Sequence, residues 1–264
     1  MSVSERFDLV EIQKMNNGRE ELHFGLTLAM GGPFDNQFKN QIEKEQQGFN
    51  NVFSNHHLEK ILCLYDLNSV HATLIALEGE PADKVWPPKR KLSSQDLIIN
   101  FFSGGKMDLN FVLEWAENQQ SFEVELGPEV LREDRKEQVI RVTSNGLIVM
   151  KGRAAKDRTL LAKIRADLED KANIKHKYGR EDDEFFFVIG YLKPNKRLND
   201  SDFITALENY LSRRRKKIKM LTKITSVKVF YFSKTTLRKD DRIKELKLRL
   251  REKSGVSDLL KHML

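Results

Sequence analysis

Twice along this chain, loosely, a strand, a helix and a second strand follow one another, and this repetition limits the available folds. The first unit begins at Leu22-His23-Phe24-Gly25-Leu26-Thr27-Leu28-Ala29, which reads as a strand ending at the turn signal Gly31-Gly32-Pro33. Residues 36–53 read as a polar helix and Ile61 to Tyr65 as a short apolar segment. Val70-His71-Ala72-Thr73-Leu74-Ile75-Ala76-Leu77 then reads as a strand that stops at Glu78-Gly79. In the second unit, Val139 to Val142 and Leu147 to Met150 are a hairpin across Ser144-Asn145-Gly146, where Asn-Gly supplies the positive φ such a turn needs. A helix over 156–171 presents Leu160, Leu161, Ile164 and Leu168 on one face. The fully apolar strand Phe185 to Leu192 follows, ended by Pro194 and Asn195.

The remaining segments fit the same alternation. A helix is expected from Ser93 or Ser94 into Phe101-Phe102, and Phe122 to Leu126 alternates as a half-buried strand. Phe203, Leu207, Tyr210 and Leu211 mark an amphipathic helix, Val227 to Phe232 a last strand, and residues 240–262 a charged terminal helix. Turn signals compatible with antiparallel pairing favour α+β over a doubly wound parallel sheet. The 264 residues are enough for one domain with a sizeable core. Residues 1–20 are expected to be flexible and 240–264 a helical extension.

Composition narrows the class of partner. Hydrophobic residues make up 39% and charged residues 32%, values typical of a water-exposed globular domain. No apolar run reaches the eighteen residues of a membrane span, and the first residues lack the apolar core of a secretory signal. The single cysteine, Cys63, lies in an apolar run and has no disulfide partner within the chain, so a reducing cytoplasm is expected. The net charge of +7 is clustered. Arg213, Arg214, Arg215, Lys216, Lys217 and Lys219 are nearly contiguous, with a smaller group at Lys89, Arg90 and Lys91. Such blocks attract phosphate through Coulomb energy and counterion release, but cations at a helix C-terminus also complement its dipole.

Among six histidines, only His71 lies inside a strand with a hydroxyl two residues on, at Thr73. The two-residue period of a strand puts both side chains on one face. An imidazole and a hydroxyl side by side can share one phosphate: the ring moves a proton while the hydroxyl donates to a non-bridging oxygen.

The stretch Ser69-Val70-His71-Ala72-Thr73-Leu74-Ile75-Ala76-Leu77-Glu78-Gly79 resembles the first His-x-Thr-Leu motif of the two-histidine (2H) phosphoesterases. The order of elements from about residue 20 to 235 is similar to that family. The resemblance implies a bilobal α+β fold, with two pseudo-symmetric antiparallel sheets around a cleft. It also implies a second motif strand, with one histidine as base and the other as acid. At that place stands Phe186-Phe187-Val188-Ile189-Gly190-Tyr191-Leu192, which keeps the Ile-Gly-Tyr-Leu ending. Phe186 holds the histidine position and Val188 the threonine position. Phenylalanine transfers no proton, and losing one acid or base costs on the order of 10²–10⁴ in rate.

No other constellation competes. His176, Lys175 and Tyr178 fit a solvated loop, and Lys234-Thr235-Thr236 fits ordinary turn chemistry. Gly31-Gly32 and Gly104-Gly105 lack the spacing of a phosphate loop. No Cys, His and Asp set has metal-ligand spacing, so no cofactor is implied. Phe101-Phe102 and Phe185-Phe186-Phe187 read as core before they read as base-stacking platforms. The expected activity is that of a phosphodiesterase on a 2′,3′-cyclic phosphate or a 2′–5′ linkage, with RNA or a nucleotide as partner. The alternatives are a catalytically degenerate RNA- or nucleotide-binding module, and a protein-interaction role in which His71 is a relic.

Overall fold

The computed structural model describes residues 7–21, 23–31, 34–76, 80–81, 98–100, 106–131, 133, 139–172, 176, 181–234 and 236–251. In chain order the elements are α1 (Leu9–Glu20), β1 (His23–Gly31), α2 (Asn36–Asn55), β2 (Leu62–Leu64), β3 (His71–Ala76), β4 (Glu80–Pro81), β5 (Ile98–Asn100), β6 (Lys106–Asp108), α3 (Leu109–Asn118) and β7 (Phe122–Leu126). They continue with β8 (Ile140–Val142), β9 (Leu147–Ala154), α4 (Leu160–Ala172), β10 (Phe185–Leu192), α5 (Ser201–Arg215), β11 (Met220–Ile224), β12 (Ser226–Phe232) and β13 (Arg242–Arg249). The architecture is α+β, with an antiparallel sheet of order β11-β7-β9-β10-β3-β1-β12-β13 and five helices among the described residues.

Where two pseudo-symmetric sheets were expected, eleven of the described strands form one hydrogen-bonded sheet, and β5 and β6 form a separate pair. The halves of the large sheet meet where β10 pairs β3. Ala72 lies opposite Phe187, and His71 opposite Val188. A local two-fold axis through the Ala72–Phe187 pair carries His71 onto Phe186 and Thr73 onto Val188. The flanking strands obey the same operation. Met30 pairs Ala72 as Met150 pairs Phe187, and Ala29 pairs Thr73 as Val149 pairs Val188. Even the irregularities correspond: β3 slips register past Leu74 against β1, and β10 slips past Ile189 against β9.

The helices tie the halves together crosswise. The carbonyl at each register slip takes a side chain from the helix of the other unit. Arg165 Nε of α4 donates to Leu74 O at 2.9 Å, and Gln46 Nε2 of α2 donates to Ile189 O at 3.2 Å. The Ile189 carbonyl also accepts the Tyr65 amide at 3.0 Å, so the glutamine adds a second bond there. The helix-bearing face is apolar. Phe187 packs edge-on against Phe34 and Phe38, with centroids 5.9 and 4.9 Å away. Phe49 and Phe53 of α2 in turn meet Tyr210 and Phe203 of α5.

Three sequence expectations fail for identifiable reasons. Residues 242–249 are strand β13, paired along β12, and not a helix. Leu246, Leu248 and Leu250 are buried while Glu245, Lys247 and Arg249 face solvent, a two-residue period that the density of helix-forming charged residues obscures. Residues 9–20 are an ordered helix capped by the Asp8 carboxylate, which accepts from the Val10 and Glu11 amides at 3.0 Å. Ile98–Asn100 is a strand within the span read as a helix, whereas Ser93, Ser94, Phe101, Phe102, Gly104 and Gly105 lie outside the described residues, as do Lys89 to Lys91. The Asn145-Gly146 hairpin forms as read, with Gly146 at φ 84°. No helix among the described residues is long and apolar enough to cross a membrane.

Candidate phosphate-handling site

Side-chain alternation turns Ala72 and Phe187 toward the helices, so His71, Thr73, Phe186 and Val188 share the opposite face of the sheet. His71 is enclosed at 5% exposure, where an open cleft residue was expected. Its Nδ1 lies 2.8 Å from Ser69 O. A carbonyl oxygen only accepts, so Nδ1 carries the proton and Nε2 keeps a free lone pair. Burial pushes the imidazole pKa from its ordinary 6.5 down to about 4, with Arg242 and Arg19 adding to the drop. His71 is therefore neutral at pH 7, in the tautomer a base requires.

Ser69 is itself held firmly. It takes bonds from Arg242 Nη2 to its carbonyl at 3.2 Å and from the Lys239 amide to its Oγ at 3.0 Å, and its hydroxyl donates to Asp66 Oδ2 at 2.6 Å. These fix the ring orientation through its carbonyl partner. Thr73 is half-buried, and its hydroxyl has no hydrogen-bond partner among the described residues. That leaves its donor available to a ligand.

The burial of His71 has a measurable consequence. A histidine depressed in the fold binds its proton more readily once unfolded, so folding stability falls as pH drops below about 6.5 and the loss is complete near pH 4. The full contribution is on the order of 3 kcal/mol. Urea unfolding between pH 7 and 4 should show this slope, and His71→Gln should flatten it. An equal slope in the variant would show that His71 is not the titrating group.

The second half of the site is apolar but not featureless. Phe186 is half-buried, with Lys151 Nζ 5.4 Å and Arg141 Cζ 6.0 Å from its ring centroid. Lys151, the ladder partner of Phe186, is fully buried and pairs with Glu184 at 2.9 Å. The position equivalent to the imidazole is thus occupied by an aromatic face beneath cations.

The basic block lies elsewhere. Arg213, Arg214 and Arg215 end α5, which stacks on α2, and α2 covers the Phe187 face opposite His71. Arg214 turns inward to the fully buried Glu45, with Nε 3.0 Å from each carboxylate oxygen. Arg213 donates to Asn209 O, while Lys216, Lys217 and Lys219 are exposed on that far side. Sequence proximity grouped cations that the fold divides between core and surface. His176 is buried, whereas Lys175, Tyr178 and Thr235 lie outside the described residues.

What sequence reading missed surrounds His71. The register slip at Ile189 brings Tyr191 back to the Val188 side, and Tyr65 lies between the rings of His71 and Tyr191, at 6.5 and 6.1 Å. Arg19 Nη1 donates to the Tyr65 hydroxyl at 3.0 Å, and Arg238 Nη2 donates to the Tyr191 hydroxyl. Burial, reinforced by Cys63, pushes the Tyr191 phenol up to about 12, so it stays protonated. Arg19, Tyr65, Tyr191 and Arg238 come from four distant segments, and no local spacing signals their meeting.

No protein-family model matches the sequence, and no curated protein does. Solved structures align with it over most of their length. Usb1 of Kluyveromyces marxianus is 12% identical, covering 85% of this chain and 97% of its own, with a TM-score of 0.47. A conserved protein of unknown function from Agrobacterium tumefaciens, ATU0111, is 14% identical over 94% of this chain and 91% of its own, with a TM-score of 0.49. TT0787 of Thermus thermophilus is 11% identical over 86% and 99%, with a TM-score of 0.42. At these identities and scores the likeness is one of chain trace alone.

Proposed function

We propose that this chain is a 2H-like phosphodiesterase reduced to one working half, acting on a 2′,3′-cyclic phosphate or a 2′–5′ linkage of RNA or a nucleotide. The observation that carries the reading is the local two-fold axis that relates His71 to Phe186 and Thr73 to Val188. A groove between two matching halves would hold the phosphate against β3. His71 Nε2 would take the proton of the attacking water, and the Thr73 hydroxyl would donate to a non-bridging oxygen. With Phe186 in place of an acid, the leaving oxygen departs without proton transfer from a side chain. Turnover is then expected some 10²–10⁴-fold below that of a complete pair.

The test is hydrolysis of 2′,3′-cyclic nucleotides and 2′–5′ oligomers by the purified full chain, with divalent metal and with chelator. A slow activity that His71→Ala abolishes is the expected result. Intact substrates under every condition would remove the catalytic reading. A second reading, a nucleotide-binding module without turnover, is favoured by Phe186 under Lys151 and Arg141, an apolar face suited to a base edge. It predicts nucleotide binding weakened by Phe186→Ala, with no product formed.

A further inference from the structure

One ring away from His71, beyond Tyr65, two guanidiniums lie against one aromatic ring. Arg19 Cζ lies 4.8 Å and Arg238 Cζ 5.0 Å from the Tyr191 centroid. Their charges are thus no further apart than about one Debye length at 0.1 M salt, ~10 Å. Arg19 is only 8% exposed. Among the described residues neither arginine forms an ion pair; each donates to a tyrosine hydroxyl. The nearby carboxylates are engaged elsewhere: Asp241 accepts from Thr236, Asp66 from Ser69, and Glu245 pairs with Arg242. A buried guanidinium without a counter-charge is costly, and two facing one ring are more so.

Both are placed by specific structure. Arg19 lies in the last turn of α1, which is docked by Asn16 Nδ2 donating to Leu192 O at 2.9 Å. Arg238 follows Leu237, a bulky residue held at φ 52°, in the left-handed region that such side chains seldom adopt. The Leu237 carbonyl accepts from Arg242 Nε at 2.8 Å, which holds that conformation.

We infer that Arg19 and Arg238, with the hydroxyl of Tyr191, form an anion pocket that takes a phosphate group on the His71 side of the sheet. Guanidiniums present paired donors matched to phosphate oxygens, and the protonated Tyr191 phenol adds one more, whereas the Tyr65 O–H is already donated to Thr236 O at 2.9 Å. For the class of anion the inference rests on the phosphodiester reading above; the pocket itself rests on the arginines. It names the positive side of a site whose second half has lost its histidine.

The test titrates the full chain with inorganic phosphate and with a nucleoside 3′-monophosphate by calorimetry, against chloride at equal ionic strength. Wild type should bind phosphate, and Arg19→Gln and Arg238→Gln should each weaken binding roughly tenfold or more, with circular dichroism unchanged. If Arg19→Gln does not fold, Arg238→Gln, on a half-buried loop, carries the test. A purely structural clasp predicts no phosphate-specific binding in wild type, or the same affinity in Arg238→Gln; either result overturns the pocket. Tighter nucleotide binding assigns the anion to a nucleotide, and equal affinity to the free ion; both support the pocket. Phosphate bound through these arginines without hydrolysis would remove the catalytic reading alone. Hydrolysis with unaltered affinity in both variants would remove the pocket alone.

Discussion

Phe186→His combined with Val188→Thr is expected to raise turnover of a 2′,3′-cyclic phosphate by roughly 10²–10⁴-fold. The two-fold relation that maps His71 onto Phe186 places the new imidazole on the same face and in the corresponding ladder position. Both positions are half-buried, so the exchange buries little new polar surface. Lys151 and Arg141 over that ring position disfavour a second positive charge. The restored group must be protonated to act as acid, so the gain should be greater near pH 6 than at pH 8. Phe186→Ala is the control, since it removes the ring without supplying a proton. Initial rates on a cyclic nucleotide decide the matter: if the double variant folds and binds but gains nothing, the proposed equivalence of the two motif strands is wrong in function.

Arg214→Ala is expected to destabilise the protein by about 3–5 kcal/mol, whereas Arg213→Ala should stay within about 0.5 kcal/mol. The neighbours differ because the helix turns them differently. Arg214 reaches the Glu45 carboxylate, which is fully buried between α2 and α5 and also accepts the Tyr210 hydroxyl at 2.8 Å. Removing the guanidinium strands a buried charge, the costly half of breaking such a pair. That carboxylate also holds the Arg214 guanidinium above its ordinary range, chiefly through its hydrogen bond. Among the described residues Arg213 bonds only Asn209 O, on an exposed turn of the helix. Chemical denaturation of both variants measures the difference, and equal stabilities would mean that the Glu45 site relaxes around its loss. The same experiment separates fold from recognition in a block that reads uniformly basic.

Much of the framework was legible because local pattern and tertiary role agree there. Asn145-Gly146 specifies a hairpin by its own dihedral preference, and the helix face of Leu161, Ile164 and Leu168 is the face that packs. Agreement fails where two local signals compete. In β13, lysine, glutamate and arginine favour helix while alternating leucines favour strand, and the open edge of β12 decides for the strand. Docking of α1 depends on contacts as remote as Asn199, which pairs with the Phe7 backbone, so nothing within the first 20 residues announces it.

For the site, the sequence alone determined that an imidazole and a hydroxyl share one strand face, and that the matching strand offers a phenyl ring and a methyl-bearing side chain instead. Both follow from residue identity and a period of two. Only the tertiary structure decided that the imidazole is enclosed and neutral, that Arg214 serves the core, and that Arg19 and Arg238 both lie against the Tyr191 ring. Desolvation and charge pairing depend on which distant segments the chain brings together, and those distances are not written in any local run of residues.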